Sequence, residues 1–139
     1  DHEGQVVAAN ENPVIQLARI YEFLLQQQRE FHPSLYRTMS RSYQSSLRVV
    51  DEYQREVSFT LLPSLLAEAR KQNIIHERVD IELVCELYHW FLQRLVTGDL
   101  YELLNRDYKA MVEHIVIYNL KGLLNKENSC ILDDFRSGR

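Results

Sequence analysis

The chain has 139 residues, 45% of them apolar and 26% charged, with a net charge of -4; this composition predicts one globular domain that buries its own core without a metal or disulfide. The acidic balance and a sequence pI near 5.7 exclude a surface that grips phosphates through clustered Lys and Arg. No run approaches the roughly 18 apolar residues of a membrane span, and the start lacks the basic and apolar regions of a signal peptide, so a soluble, cytoplasmic chain with no membrane partner is expected.

Residues 1–11 are polar, carry Gly4 and read as a linker. The chain opens on Asp1 rather than Met, which raises the expectation of a segment upstream. Asn12 is placed to cap a helix with Pro13 at its first position, and Val14, Leu17, Ile20, Tyr21, Leu24 and Leu25 recur at helical spacing to about Phe31. His32-Pro33 ends that helix, and Pro33 opens a short one with Leu35, Tyr36, Met39 and Tyr43 on one face.

From about Ser45 a long helix follows, with Leu47, Val50, Val57, Leu61 and Leu65 in one stripe that Phe59, Leu62 and Leu66 widen towards Asn73. Pro63 removes a backbone donor and leaves the Phe59 carbonyl without its usual partner, so a bend is predicted near residues 59–63. Asn73 suits a left-handed C-cap, and Asp80 caps the next helix alone, because Leu83 stands where a capping box needs Glu or Gln.

That helix, about 81–97, places Ile81, Val84, Cys85, Tyr88 and Leu92 on one side and Leu83, Leu87, Trp90 and Arg94 on another. After the Gly98-Asp99 turn and one helical turn over Leu100 to Leu104, a last helix carries Tyr108, Met111, Val112, Ile115, Val116, Ile117, Leu120 and Leu123, loosened near its end by Gly122. These two helices offer apolar groups on more than one side, so each should pack against two things. Residues 126–139 read as a flexible tail. The expected architecture is all-α: a multi-helix orthogonal or antiparallel bundle over residues 12–125.

No catalytic constellation emerges. Glu86 and His89 form a single E-x-x-H, whereas di-iron bundles need two, so a surface pair is the preferred reading. The histidines at 2, 32, 76, 89 and 114 lack zinc spacing, and Cys85 and Cys130 make no knuckle. With no nucleophile elbow, phosphate loop or H-E-x-x-H, neither enzyme activity nor a cofactor is expected. Cys85 lies in an apolar run and reads as a small buried hydrophobe of a reducing compartment. Tyr21, Tyr36, Tyr43, Tyr53, Tyr88, Trp90 and Phe59 are each explained by core filling, but as a set they could line an apolar pocket with polar handles.

The order of elements resembles the C-terminal effector-binding and dimerisation region of TetR-family transcriptional regulators over roughly residues 12–124. The segments that carry the resemblance are Asn12-Pro13 leading into Leu17 to Leu25, Phe31-His32-Pro33-Ser34-Leu35-Tyr36-Arg37, the mid-helix proline of Phe59-Thr60-Leu61-Leu62-Pro63-Ser64-Leu65-Leu66, Val79-Asp80-Ile81-Glu82-Leu83-Val84, and Leu120-Lys121-Gly122-Leu123-Leu124. Gln72-Asn73 stands where the family often has glycine. The family's DNA-binding head is absent, since nothing here reads as a helix-turn-helix with a basic recognition helix.

The resemblance implies a bacterial, cytoplasmic regulator that contacts DNA only through an N-terminal domain outside this sequence. It also implies a homodimer whose last two helices pair around a two-fold axis. Leu87, Trp90, Arg94, His114, Ile117, Tyr118 and Lys121 lie off the core stripe and are the expected interface. An apolar or aromatic effector would sit among Tyr21, Leu24, Tyr36, Met39, Tyr43, Tyr53, Phe59 and Tyr88. The competing readings are a stand-alone helical carrier or protein-interaction module and, behind it, a metal-dependent helical-bundle enzyme using Glu86 and His89.

Overall fold

The structure, a computed structural model, describes residues 12–30, 37–38, 41, 44–97, 101–133 and 135. The expected linker at 1–11, the body of the short helix after Pro33 and the Gly98-Asp99 turn lie outside the described residues. What is described is all-α, and no helix among the described residues is long and apolar enough to cross a membrane.

Helix α1 (Pro13–Glu30) begins where Asn12 and Pro13 predict. Asn12 Oδ1 accepts from the Val14 N–H at 2.9 Å and the Asn12 carbonyl from Gln16 at 3.0 Å, so the cap satisfies donors that the first turn cannot. Val14, Leu17, Ala18, Ile20, Tyr21, Leu24 and Leu25 are all buried, and so are the polar Gln16, Glu22 and Gln28. A helix buried around most of its circumference is a central helix.

The long helix runs without a break through α2 (Gln44–Glu56), a π-helical segment (Val57–Leu61) and α3 (Leu62–Lys71). The π segment is where the structure answers Pro63. The Leu62 N–H reaches back five residues to the Val57 carbonyl, so the helix widens by one residue just before the proline. Pro63 then occupies the first turn of α3, where its missing donor costs little. The sequence predicts a bend here; the structure shows a local change of helix type.

Asn73 adopts φ 62°, the left-handed conformation expected of it. The Ile74 N–H donates to Ala69 at 2.8 Å and the Asn73 N–H to Arg70 at 3.0 Å, the paired bonds of a Schellman ending. Asp80 then caps α4 (Ile81–Thr97): its Oδ1 accepts from Leu83 at 3.0 Å. After α5 (Tyr101–Arg106) the last helix is α6 (Tyr108–Val112), a second π segment (Glu113–Tyr118) and α7 (Asn119–Lys121). This second π segment coincides with the run Ile115-Val116-Ile117, whose stiff β-branched side chains weaken the α preference.

α1 packs along α3 and also meets α5 and the second π segment, while α4 crosses α3, the first π segment and α2. The core is therefore built around α1, closed on one side by Leu62, Leu65, Leu66 and Ala69 and on others by Cys85, Tyr88 and Leu92 and by Met111, Val112, Val116 and Leu120. The Asn73 turn is tied to the end of the last helix by a bridge between Ile75 and Leu124, with Asn125 donating to Ile74 and His76 to Leu123, each at 3.0 Å. The Asn125 side-chain amide also donates to the Asn73 carbonyl.

Where the sequence reads a tail from residue 126, the structure has a 3-10 turn (Lys126–Asn128) and further turns to residue 133. Leu132 is the cause: it is 1% exposed and belongs to the same core as Ile75 and Leu124. Ile131 and Phe135 pack against the same core beside it, so a short apolar cluster holds the segment against the domain.

Candidate functional site

Two features stand out on this scaffold: an apolar face on α4 and a cleft between α1 and α2. On α4 the two sides separate as their spacing demands. Cys85, Tyr88 and Leu92 are buried, whereas Leu83, Leu87 and Trp90 are 50%, 59% and 60% exposed. These three lie at i, i+4 and i+7, a single stripe pointing away from the core. Arg94 continues the stripe, with its guanidinium 5.6 Å from the Trp90 ring centroid.

The last helix shows a similar outer face. Tyr118 is 51% exposed and packs edge-on against His114 at 5.0 Å. The His114 Nδ1–H donates to the Ala110 carbonyl at 2.8 Å, which fixes the ring. Ile117 is half-buried. Lys121 is exposed but engaged within the chain, 3.0 Å from the Asp133 carboxylate. That contact raises the Lys121 pKa and lowers that of Asp133, chiefly through the hydrogen bond between them. The seven expected interface residues thus all reach the surface.

The described members of the aromatic set do not converge. Tyr21 and Tyr88 lie in the core with ring centroids 3.8 Å apart, and Phe91 stacks on Tyr88 at 6.1 Å. Burial raises the pKa of both tyrosines well above the ordinary phenol value. Phe59 is 43% exposed and packs on His89 at 4.9 Å instead. Tyr36, Met39 and Tyr43 lie outside the described residues. Of the expected pocket, Leu24 and Tyr53 are the two described residues that face a common cavity.

That cavity, of about 510 Å³, lies between the C-terminal half of α1 and the start of the long helix. Leu24, Gln27, Gln28 and Glu30 line it from α1 and Val49, Val50, Tyr53 and Gln54 from α2. Its volume falls in the range of small-molecule sites. Gln28 and Gln54 are buried, and the Gln28 Oε1 finds no hydrogen-bond partner among the described residues. The sequence carries a signal for both glutamines: Gln28 continues the stripe Leu17, Tyr21, Leu24, and Gln54 sits between Val50 and Val57 in the next one. Polar residues in apolar stripes mark places where the core is not closed by packing alone.

The E-x-x-H pair separates. Glu86 is exposed, but His89 is buried, with Nδ1 3.1 Å from Ser58 Oγ in the first π segment. The preferred sequence reading, a surface pair, is therefore corrected for His89, which belongs to the contact between α4 and the π segment. Its pKa is lowered, first by burial and then by Arg55, with Asp51 acting in the opposite direction. Among the described residues no group of three His, Cys, Asp or Glu side chains is placed to hold a metal ion. Cys85 is buried and its thiol pushed up to about 11 by desolvation, while Cys130 is exposed.

No family model, characterised protein sequence or solved structure matches this chain.

Proposed function

We propose that residues 12–125 are the regulatory ligand-binding and dimerisation domain of a TetR-like transcriptional regulator, with DNA contacted by a helix-turn-helix head that residues 1–139 do not contain. The observation that carries this reading is the row Leu83, Leu87 and Trp90, each at least half exposed on a helix whose opposite side is core. An apolar stripe of this kind suits an isologous interface, in which the same patch meets itself across a two-fold axis. The cleft between α1 and α2 supports the second part of the reading, a site for an apolar or aromatic effector.

In such a protein the effector acts by binding one subunit arrangement better than another, and ten-fold discrimination corresponds to about 1.4 kcal/mol of coupling. Sedimentation velocity of the purified chain at tens of micromolar tests the dimer; a monomer there refutes it. The regulatory role is tested in the reading frame upstream of Asp1, where a basic helix-turn-helix of roughly 50 to 60 residues is expected. An open frame encoding no such element rules the regulator out and leaves an interaction module.

A further inference from the structure

The cleft between α1 and α2 has chemistry of its own, and assigning it a ligand rests on the ligand-binding half of the proposed function. Its floor is Leu24, Gln28 and Gln54, all buried, and its walls are the half-buried Val50 and Tyr53. The rim holds Gln27, Glu30 and Val49, which are exposed. A flat apolar body fits against Leu24, Val50 and the Tyr53 ring, because nothing polar on those surfaces has to be desolvated.

Selectivity comes from Gln28. Its side chain is 9% exposed, lines the cleft and holds an amide oxygen with no hydrogen-bond partner among the described residues. A buried acceptor left unmatched is costly, and the cost is recovered by any donor that enters. The terminal torsion of glutamine is soft, so a small turn presents the oxygen to the cavity. Among the described lining residues Glu30 is the one charged group, so an anionic ligand meets repulsion at the mouth and no described cation inside.

We propose that this cleft binds an uncharged, flat apolar or aromatic molecule that donates one hydrogen bond, from a phenol-type O–H or an aromatic N–H, to the Gln28 side-chain oxygen. Gln28 is then the specificity-determining residue, and the Tyr21–Tyr88 pair belongs to the core behind the site rather than to the site.

The test uses β-naphthol and its methyl ether, which share a ring system and differ in the donor. Isothermal calorimetry on the full chain should show saturable binding of β-naphthol, one per chain, and binding of the ether weaker by about ten-fold or more. Gln28→Leu should bring the two affinities together. Val50→Trp should abolish both by filling the cavity; Val50→Phe replaces it if the tryptophan variant does not melt cooperatively. Equal affinities in the parent chain, an unchanged preference in Gln28→Leu, undiminished binding in the filled variants, or no saturable binding each overturn the proposal. Sedimentation of the same samples reads the dimer separately. Failure of the cleft with an intact dimer therefore differs from failure of the dimer with an intact cleft.

Discussion

Trp90→Ala is the perturbation that bears most directly on the interface. Trp90 is 60% exposed in the chain alone, and a tryptophan side chain offers up to about 250 Å² of surface. About 150 Å² is therefore available for burial in the proposed dimer, worth about 3–4 kcal/mol per copy at about 25 cal/mol per Å². In the proposed dimer a two-fold axis would place this residue in the interface twice. Alanine keeps part of the area, and contacts near a rim are wetter than contacts at the centre, so a net loss of about 3 kcal/mol per dimer is the reasonable figure. That corresponds to a dimer Kd raised on the order of a hundred-fold.

Folding should respond differently. Trp90 does not belong to the core, and its contact with Arg94 at 5.6 Å is an exposed cation–π interaction worth about 0.5–1 kcal/mol. Sedimentation equilibrium across a concentration series, paired with urea denaturation of the monomer, separates the two effects. An unchanged dimer Kd in Trp90→Ala refutes the assignment of this face. A loss of monomer stability as large as the loss of association shows that Trp90 is a structural residue instead.

Asn73→Ala places a Cβ-bearing residue without a polar side chain at φ 62° and should cost about 1 kcal/mol in urea denaturation, whereas Asn73→Gly should be neutral or slightly stabilising. His89 has a folded pKa below its ordinary value of 6.5, so the unfolded chain binds more protons in that window. Its contribution to stability is complete above about pH 6.5 and is lost as the pH falls from there towards the folded pKa; a fall in the urea midpoint on acidification that His89→Gln reduces is the expected result. Native chain treated with a thiol reagent near pH 8 should react at one cysteine, the exposed Cys130, and at both only after denaturation, because Cys85 is buried and its pKa raised to about 11.

The caps and faces were legible in the sequence because their causes are local. Asn12, Asp80 and Asn73 act through bonds within five residues, and the two sides of α4 follow from helical periodicity alone. Which of the described aromatics would face the cleft was not legible, for the opposite reason. Periodicity assigns Tyr21, Tyr53 and Tyr88 to apolar faces, but which faces meet and which stand apart depends on how α1 and α2 approach, a long-range outcome. Two tyrosines accordingly became core and one became a cleft wall. His89 was misplaced because Glu86 and His89, three residues apart, share a helix face only loosely; the position of Ser58 on the facing π segment decided the matter. The docking of Leu132 was hidden because Ile131, Leu132 and Phe135 are too few and too close to the end of the chain to make a periodic pattern.

The central position of α1 gives a physical route from cleft to outer helix. Its last two turns supply Gln27, Gln28 and Glu30 to the cleft and, on the neighbouring face, Gln26 and Arg29 to Tyr108 at the start of the last helix. The Tyr108 hydroxyl donates towards the Glu22 carbonyl at 3.4 Å or Gln26 Oε1 at 3.3 Å, and the Arg29 guanidinium sits 4.5 Å from its ring centroid. Burial, with help from Glu22, raises the Tyr108 pKa to about 12, so the hydroxyl remains a donor at neutral pH. A ligand that repositions the end of α1 therefore pulls on the helix that carries His114, Ile117 and Tyr118. Tyr108→Phe keeps the ring and removes the donor. The dimer Kd of the parent chain should shift on saturation with β-naphthol, and that shift should shrink in Tyr108→Phe while naphthol affinity is retained. An equal shift in both proteins shows that the coupling bypasses this contact.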